Sequence, residues 1–276
     1  MKKARKLMIC LLALAMAATV MSGCKQSENT EDPAVKSNLL TSSVVWKQTA
    51  AEYEALYFQA FNLAKSKIDQ ALENESEKPL AIITDVDDTI CWHNAYWGRM
   101  VQDGLEFFND EIWDAYIIDN GLTAAPGAVE LLNYCKEKGV EVFYVTNRDQ
   151  GENTYEVATE NLKKLGFPYV DTDHLFVQID TSDKEAIQKE IAVEHEVVVY
   201  MGDSLNDFQR KYYVTDVDER RALMEEDQAL YGEKYIILPN PTDGHWIRAV
   251  FGESEPADTA ENRKIWNQAA QTYVWK

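Results

Sequence analysis

From residue 46 onward the chain alternates between two hydrophobic rhythms. Short, near-continuous apolar runs rich in Val, Ile and aromatics ("LAIIT", "VEVFYVT", "LFVQI", "EVVVYMGD", "KYIIL") predict buried strands. Between them, apolar residues recur at helical spacing. The segments are "TAAEYEALYFQAFNLAKSKIDQAL", "PGAVELLNYCKEKG", "TYEVATENLKKLG", "DKEAIQKEIAVE", "DERRALMEEDQALYG" and "ENRKIWNQAAQTYV". Pro126 opens the second of these, and Gly139 lies past its end. Residues 105–118, "LEFFNDEIWDAYII", predict a further helix. Strands of this kind separated by helices predict an α/β fold, a mainly parallel sheet with helices on both faces. The stretch 91–125, between the first two strands, is too long for a loop and predicts a small helical cap over the strand tips, joined by the early helix.

The first 45 residues follow neither rhythm. "MKKARK" is basic and "LMICLLALAMAATV" apolar but short for a membrane span, so 1–23 reads as a signal peptide. It runs into "MSGC", which resembles a bacterial lipobox and makes Cys24 the lipid-modified first residue of the mature chain. Residues 24–45 are polar at first and read as a flexible tether to the domain at 46–276. The expected location is the bacterial cell envelope, lipid-anchored at the outer membrane or cell surface, with the membrane as a partner through Cys24. Of the remaining cysteines in the mature chain, Cys91 and Cys135 show no metal-type spacing; free buried thiols are favoured, and a disulfide stays open.

The net charge is −20, which argues against nucleic acid polymers as partners. It leaves room for a small anionic substrate if the site carries its own cations. In a parallel sheet such a site lies beyond the carboxyl ends of the strands. After the first strand come Asp85, Asp87 and Asp88; after the second, Thr146, Asn147 and Arg148; beyond the third, Lys184; after the fourth, Asp203, Ser204 and Asp207. Carboxylates from two strand ends suit a hard cation such as Mg²⁺, which offsets their mutual repulsion. A hydroxyl, a lysine and loop amides suit a phosphoryl group. Each residue also has a plainer reading. Asp88 is expected to cap the following turn, Asp203 and Asp207 can serve as turn and N-cap residues, and Lys184 can be a surface lysine. His93, His174, His195 and His245 lack metal-ligand spacing and are expected to be structural or at the surface.

The motif D-x-D-x-[TV] alone arises by chance in about one chain in ten of this length. What gives it weight is the ordered set "DVDDT", "YVTNR", Lys184 and "GDSLNDF", which resembles the haloacid dehalogenase (HAD) superfamily. The flanking "AEYEALYFQAFNLAKSKIDQAL", "PGAVELLNYCKEKGVEVFYVTNR" and "YIILPNPTDGHW" are similar to the class C acid phosphatases, and within them to the lipoprotein e(P4) 5′-nucleotidases. The chain departs from the pattern after Lys184, where Ile187 or Gln188 stands in place of an expected basic residue.

The resemblance implies a HAD-like Rossmannoid sheet with a small cap. It also implies a Mg²⁺-dependent phosphomonoesterase acting on nucleoside monophosphates or nicotinamide mononucleotide. By it, Asp85 is the nucleophile and Asp87 a general acid with a raised pKa; Thr146 and Lys184 hold the phosphoryl group. Asp85, Asp203 and the backbone carbonyl of Asp87 bind the metal, with Asp207 holding a metal-bound water or Lys184. Asn147 and Arg148 flank the substrate, and the cap aromatics Trp92 and Tyr96 are expected to stack on its base. Trp97 or Trp113 could serve that stack as well, and most of the cap aromatics are expected to be core. The competing reading is a surface lipoprotein that binds a haem-like or nucleotide ligand over a vestigial HAD site; a HAD phosphomutase ranks below both.

Overall fold

The computed structural model describes residues 38–275. The signal peptide, Cys24 and the tether as far as residue 37 lie outside the described residues. Five parallel strands form the sheet in the order β5-β4-β1-β6-β7: β1 (Leu80–Thr84), β4 (Glu141–Asn147), β5 (Leu175–Gln178), β6 (Glu196–Gly202) and β7 (Tyr235–Ile237). β1 is central. The chain winds outward from it through β4 and β5 on one side and returns to β6 and β7 on the other, so the switch in strand order falls at the tip of β1.

The side-chain period of two divides β1 and β4 between two cores, and a register shift where β6 pairs with β1 puts Val197 and Val199 on opposite faces. Ile82, Val142, Tyr144 and Val199 face a large cluster with Tyr57, Phe61, Ala64 and Ile68 of helix α2 (Ala51–Leu72) and Leu131, Leu132 and Cys135 of α5 (Ala128–Lys138). Ala81, Ile83, Phe143, Val145 and Val197 face the other side, with Ile191 of α7 (Glu185–Glu194). Helices therefore cover both faces, as the near-continuous apolar strands require. Cys91 and Cys135 are both buried free thiols, and burial pushes Cys135 up to about 12.

The cap is built on a two-stranded antiparallel pair, β2 (Cys91–Trp92) with β3 (Thr123–Ala124). It carries α3 (Asn94–Asp103) and α4 (Asp110–Ile118). The helix expected over 105–118 starts five residues late because the Asn109 side chain accepts from Ile112 N at 3.0 Å and fixes the N-terminus there. Several elements have no counterpart in the sequence reading, among them the β2–β3 pair, α3 and the short α9 (Trp246–Phe251).

The tether boundary also needs correction. Helix α1 (Thr41–Thr49) begins before residue 46 and packs on α3, with Leu40 and Val44 buried against Tyr96, Trp97 and Met100. Polar Thr41, Ser42 and Ser43 hide this stripe in the sequence. Lys47 continues it at helical spacing and is 2% exposed.

Candidate active site

The tip of β1 places Asp85 at the floor of a cleft of about 470 Å³. Thr89 Oγ1 donates to Asp85 Oδ2 (2.8 Å), and Lys184 Nζ sits 2.5 Å from Asp85 Oδ1 and 2.7 Å from Asp207 Oδ1. Lys184 is 6% exposed, which rules out the surface reading. Its burial lowers the ammonium, but Asp207 and Asp85 outweigh that and hold it above its usual range. Burial, with Asp207 beside it, raises the Asp85 carboxyl against the pull of Lys184. Asp207 is fixed from its other oxygen by Ser204 N–H at 2.9 Å, and it packs so tightly on β6 that a Cβ at Gly202 would lie 2.4 Å from its own. Asp203 completes the group: Asp85, Asp203 and Asp207 each offer a ligand atom within 4.8 Å of the others. Burial and the neighbouring Asp207 and Asp85 push the Asp203 carboxyl well above its usual range. Three crowded carboxylates facing one lysine form a donor set that suits a hard divalent cation.

Asp87 points the other way. Arg148 clamps both its oxygens, Nε to Oδ2 (2.8 Å) and Nη2 to Oδ1 (2.6 Å). Thr146 Oγ1 donates to Oδ2 at 3.2 Å, and His93 Nε2 lies 2.9 Å from Oδ1, out of line for a hydrogen bond. Burial alone would raise the Asp87 carboxyl, but Arg148 and His93 reverse this and hold it well below the usual range. The expectation of a raised Asp87 is thereby corrected: in this geometry it is a carboxylate.

Residues 13–246 match the model of the HAD superfamily, subfamily IIIB (Acid phosphatase). The chain belongs to that family. It is a HAD-type phosphomonoesterase of the class C acid phosphatase group. The class C acid phosphatase of Bacillus anthracis superposes with a TM-score of 0.77 at 30% identity, over 86% of this chain and 97% of that one. A second structure of that enzyme, with tungstate bound, superposes with the same TM-score at 29% identity and the same coverage.

In this acid phosphatase, two of the residues expected to touch substrate are turned inward. Trp92 is stacked on Tyr53 (5.1 Å) and meets Tyr57 edge-on, so it belongs to the main core. Tyr96 is fully buried among Trp97, Phe108 and Trp113. Neither lines the cleft, where Phe108 and Trp113 stand instead. Closeness in sequence to Asp85 misled here, because β2 carries the chain straight down into the core. Asn147 and Arg148 do line the cleft, but their donors are spent: Asn147 Nδ2 on the Thr181 carbonyl, and Arg148 on Asp87 and on Asn161 Oδ1 at 2.8 Å. Arg148 is an internal clamp rather than a free anion binder. Of Ile187 and Gln188, which stand where a basic residue is expected after Lys184, Gln188 donates its amide to the Asp207 carbonyl at 2.6 Å.

Asp88 does more than cap a turn. It holds a left-handed backbone (φ 54°) and is 5% exposed. Its carboxylate pairs with Lys47 Nζ at 2.9 Å and accepts from Asn240 Nδ2 at 3.2 Å. The sequence reading did not single out Lys47, Asn240 or Asp243, and it expected His245, which lines the cleft, to be structural or at the surface. The last three follow β7, so the rule of looking just past each strand end would have found them had it been carried to the fifth strand. Burial raises Asp243 to about 6 and lowers His245 to about 4, and both line the cleft.

Proposed function

We propose that this phosphatase is a Mg²⁺-dependent enzyme that hydrolyses nucleoside monophosphates or nicotinamide mononucleotide through an aspartyl-phosphate, lipid-anchored in the bacterial cell envelope. The observation that carries the chemistry is the Asp85 carboxylate at the cleft floor, with Lys184 on one oxygen and Asp203 and Asp207 within ligand distance. Asp85 attacks phosphorus in line with the leaving alkoxide, and water then attacks the acyl phosphate. Lys184 stabilises the charge that gathers on the phosphoryl oxygens. Asp87, ionised by its Arg148 clamp, accepts the proton of the attacking water in the second step. Before that, the leaving alkoxide takes a proton from solvent, since the Asp87 carboxyl is already ionised. Asp85, Asp203 and Asp207, with the backbone carbonyl of Asp87, would hold Mg²⁺, which when bound neutralises the carboxylates and draws electron density from the phosphoryl group. This acidic constellation is complete, which favours an enzyme over a binding protein with a vestigial site.

Phe108 and Trp113 on the cap side of the cleft supply π-faces for a nucleobase. A phosphate-release screen over a panel of monophosphates tests this reading. EDTA should abolish activity and Mg²⁺ restore it, with kcat/KM for nucleoside monophosphates at least about tenfold above that for glycerol phosphate, from a stack worth about 1–3 kcal/mol. Full activity in metal-free buffer would remove the metal from the mechanism. Equal rates across the panel would remove the nucleotide preference.

The anchoring part rests on the lipobox-like "MSGC". Among the described residues no helix is long and apolar enough to cross a membrane. Cys24→Ser should release the protein to the soluble fraction or leave the precursor uncleaved. A processed Ser variant that still sediments with membranes would refute the lipid anchor.

A further inference from the structure

The three carboxylates of the candidate cation site are not held alike. Lys184 pairs with Asp85 and Asp207. Among the described residues no ammonium or guanidinium pairs with Asp203, which is surrounded by Asp85, Asp207 and Asp88. Like charges of this kind would turn a free carboxylate away. Its one side-chain partner among the described residues is Asn240, whose Nδ2 donates to Asp203 Oδ2 at 2.7 Å.

The Asn240 amide has its orientation dictated from the opposite end. Its Oδ1 accepts from the backbone N–H of Thr242 (3.1 Å) and of Asp243 (3.2 Å), an Asx-type turn. Thr242 Oγ1 donates to the same oxygen at 2.8 Å, and it is free to do so because its own acceptor side takes Lys47 Nζ at 2.9 Å. Every neighbour of Oδ1 is a donor, and both neighbours of Nδ2 are carboxylates, Asp203 and Asp88. A flipped amide would set an oxygen against two anions and NH₂ against two N–H groups.

We propose that Asn240 is a positioning residue for the cation site: it fixes the rotamer of Asp203 by engaging one oxygen, leaving the other to meet the ion. The Lys47–Thr242–Asn240 relay joins helix α1 to this carboxylate. The inference rests on the Mg²⁺ reading above. Outer-shell partners of ligating carboxylates typically change metal affinity by about 10- to 100-fold.

Two variants separate positioning from mere turn-making. Asn240→Ala removes the turn acceptor and the donor together. Asn240→Ser keeps an oxygen that can accept from the Thr242 and Asp243 N–H groups but is too short to reach Asp203. Mg²⁺ binding is measured by titration calorimetry on the full folded domain, alongside Tm. KM for p-nitrophenyl phosphate is measured at saturating Mg²⁺. Both variants should bind Mg²⁺ at least about tenfold more weakly, with KM within about twofold of wild type and activity recovered by excess Mg²⁺. A Ser variant that binds Mg²⁺ like wild type, while the Ala variant only loses Tm, would reduce Asn240 to a turn residue and overturn the inference. If wild-type protein fails to bind Mg²⁺ at all, the metal reading itself falls, which is a different result from wild-type binding shared by both variants.

Discussion

Asp85→Asn is expected to lower kcat by at least about a thousandfold while leaving the fold intact. The amide keeps the shape of the carboxylate, so Thr89 still has an oxygen to donate to, and Lys184 still has Asp207 at 2.7 Å. The negative charge is lost, and with it both the nucleophile and one arm of the cation site. Steady-state turnover of p-nitrophenyl phosphate, read beside a thermal melt, separates the two effects. A variant that turns over within tenfold of wild type would show that Asp85 is not the attacking group.

Lys184→Met should damage both activity and stability. The methionine chain fills much the same space but leaves Asp85, Asp203 and Asp207 crowded without the ammonium that bridges two of them. Removing one partner of a buried pair typically costs about 3–5 kcal/mol, and loss of phosphoryl stabilisation should lower kcat at least about a hundredfold. The stability loss has a pH signature. The folded-state carboxyls of Asp85 and Asp203 already lie above the usual Asp value, and loss of the lysine raises them further. A carboxyl with a raised folded pKa favours the fold below its unfolded pKa of about 4, and that contribution is lost as pH rises through the folded value. The Tm deficit of the variant should therefore be smaller at pH 4.5 than at pH 7.5, and Mg²⁺ should narrow it. A deficit independent of pH, with activity within threefold of wild type, would show Lys184 to be a packing residue.

The sheet could be read from the sequence because its strands are buried on both faces, and burial leaves unbroken apolar runs such as "LAIIT" and "VEVFYVT". The tips of those strands gave Asp85, Asp87, Lys184, Asp203 and Asp207, since a site at strand ends inherits the order of the strands. Residues that depend on three-dimensional closure were hidden. Lys47 lies 41 residues before Asp88 and 195 before Thr242. Nothing in a run of Thr, Ser and Val announces that its lysine is buried. Trp92 and Tyr96 failed for the reverse reason: an aromatic side chain carries no mark of whether it faces a ligand or a neighbour, and here Tyr53, Phe108 and Trp113 take those faces. The state of Asp87 was misjudged because a second carboxylate nearby suggests a raised pKa, whereas the guanidinium that reverses it belongs to the next motif along the chain.

Helix α1 joins parts of the molecule that lie far apart in the chain. This helix seats Leu40 and Val44 against the cap and Lys47 against Asp88 and Thr242. One short helix therefore braces the cap and the loop after β7 together. Cutting the chain back to the first strand would therefore strip the cap of an apolar support and leave Asp88 without its ammonium, so the folded domain starts well upstream of that strand.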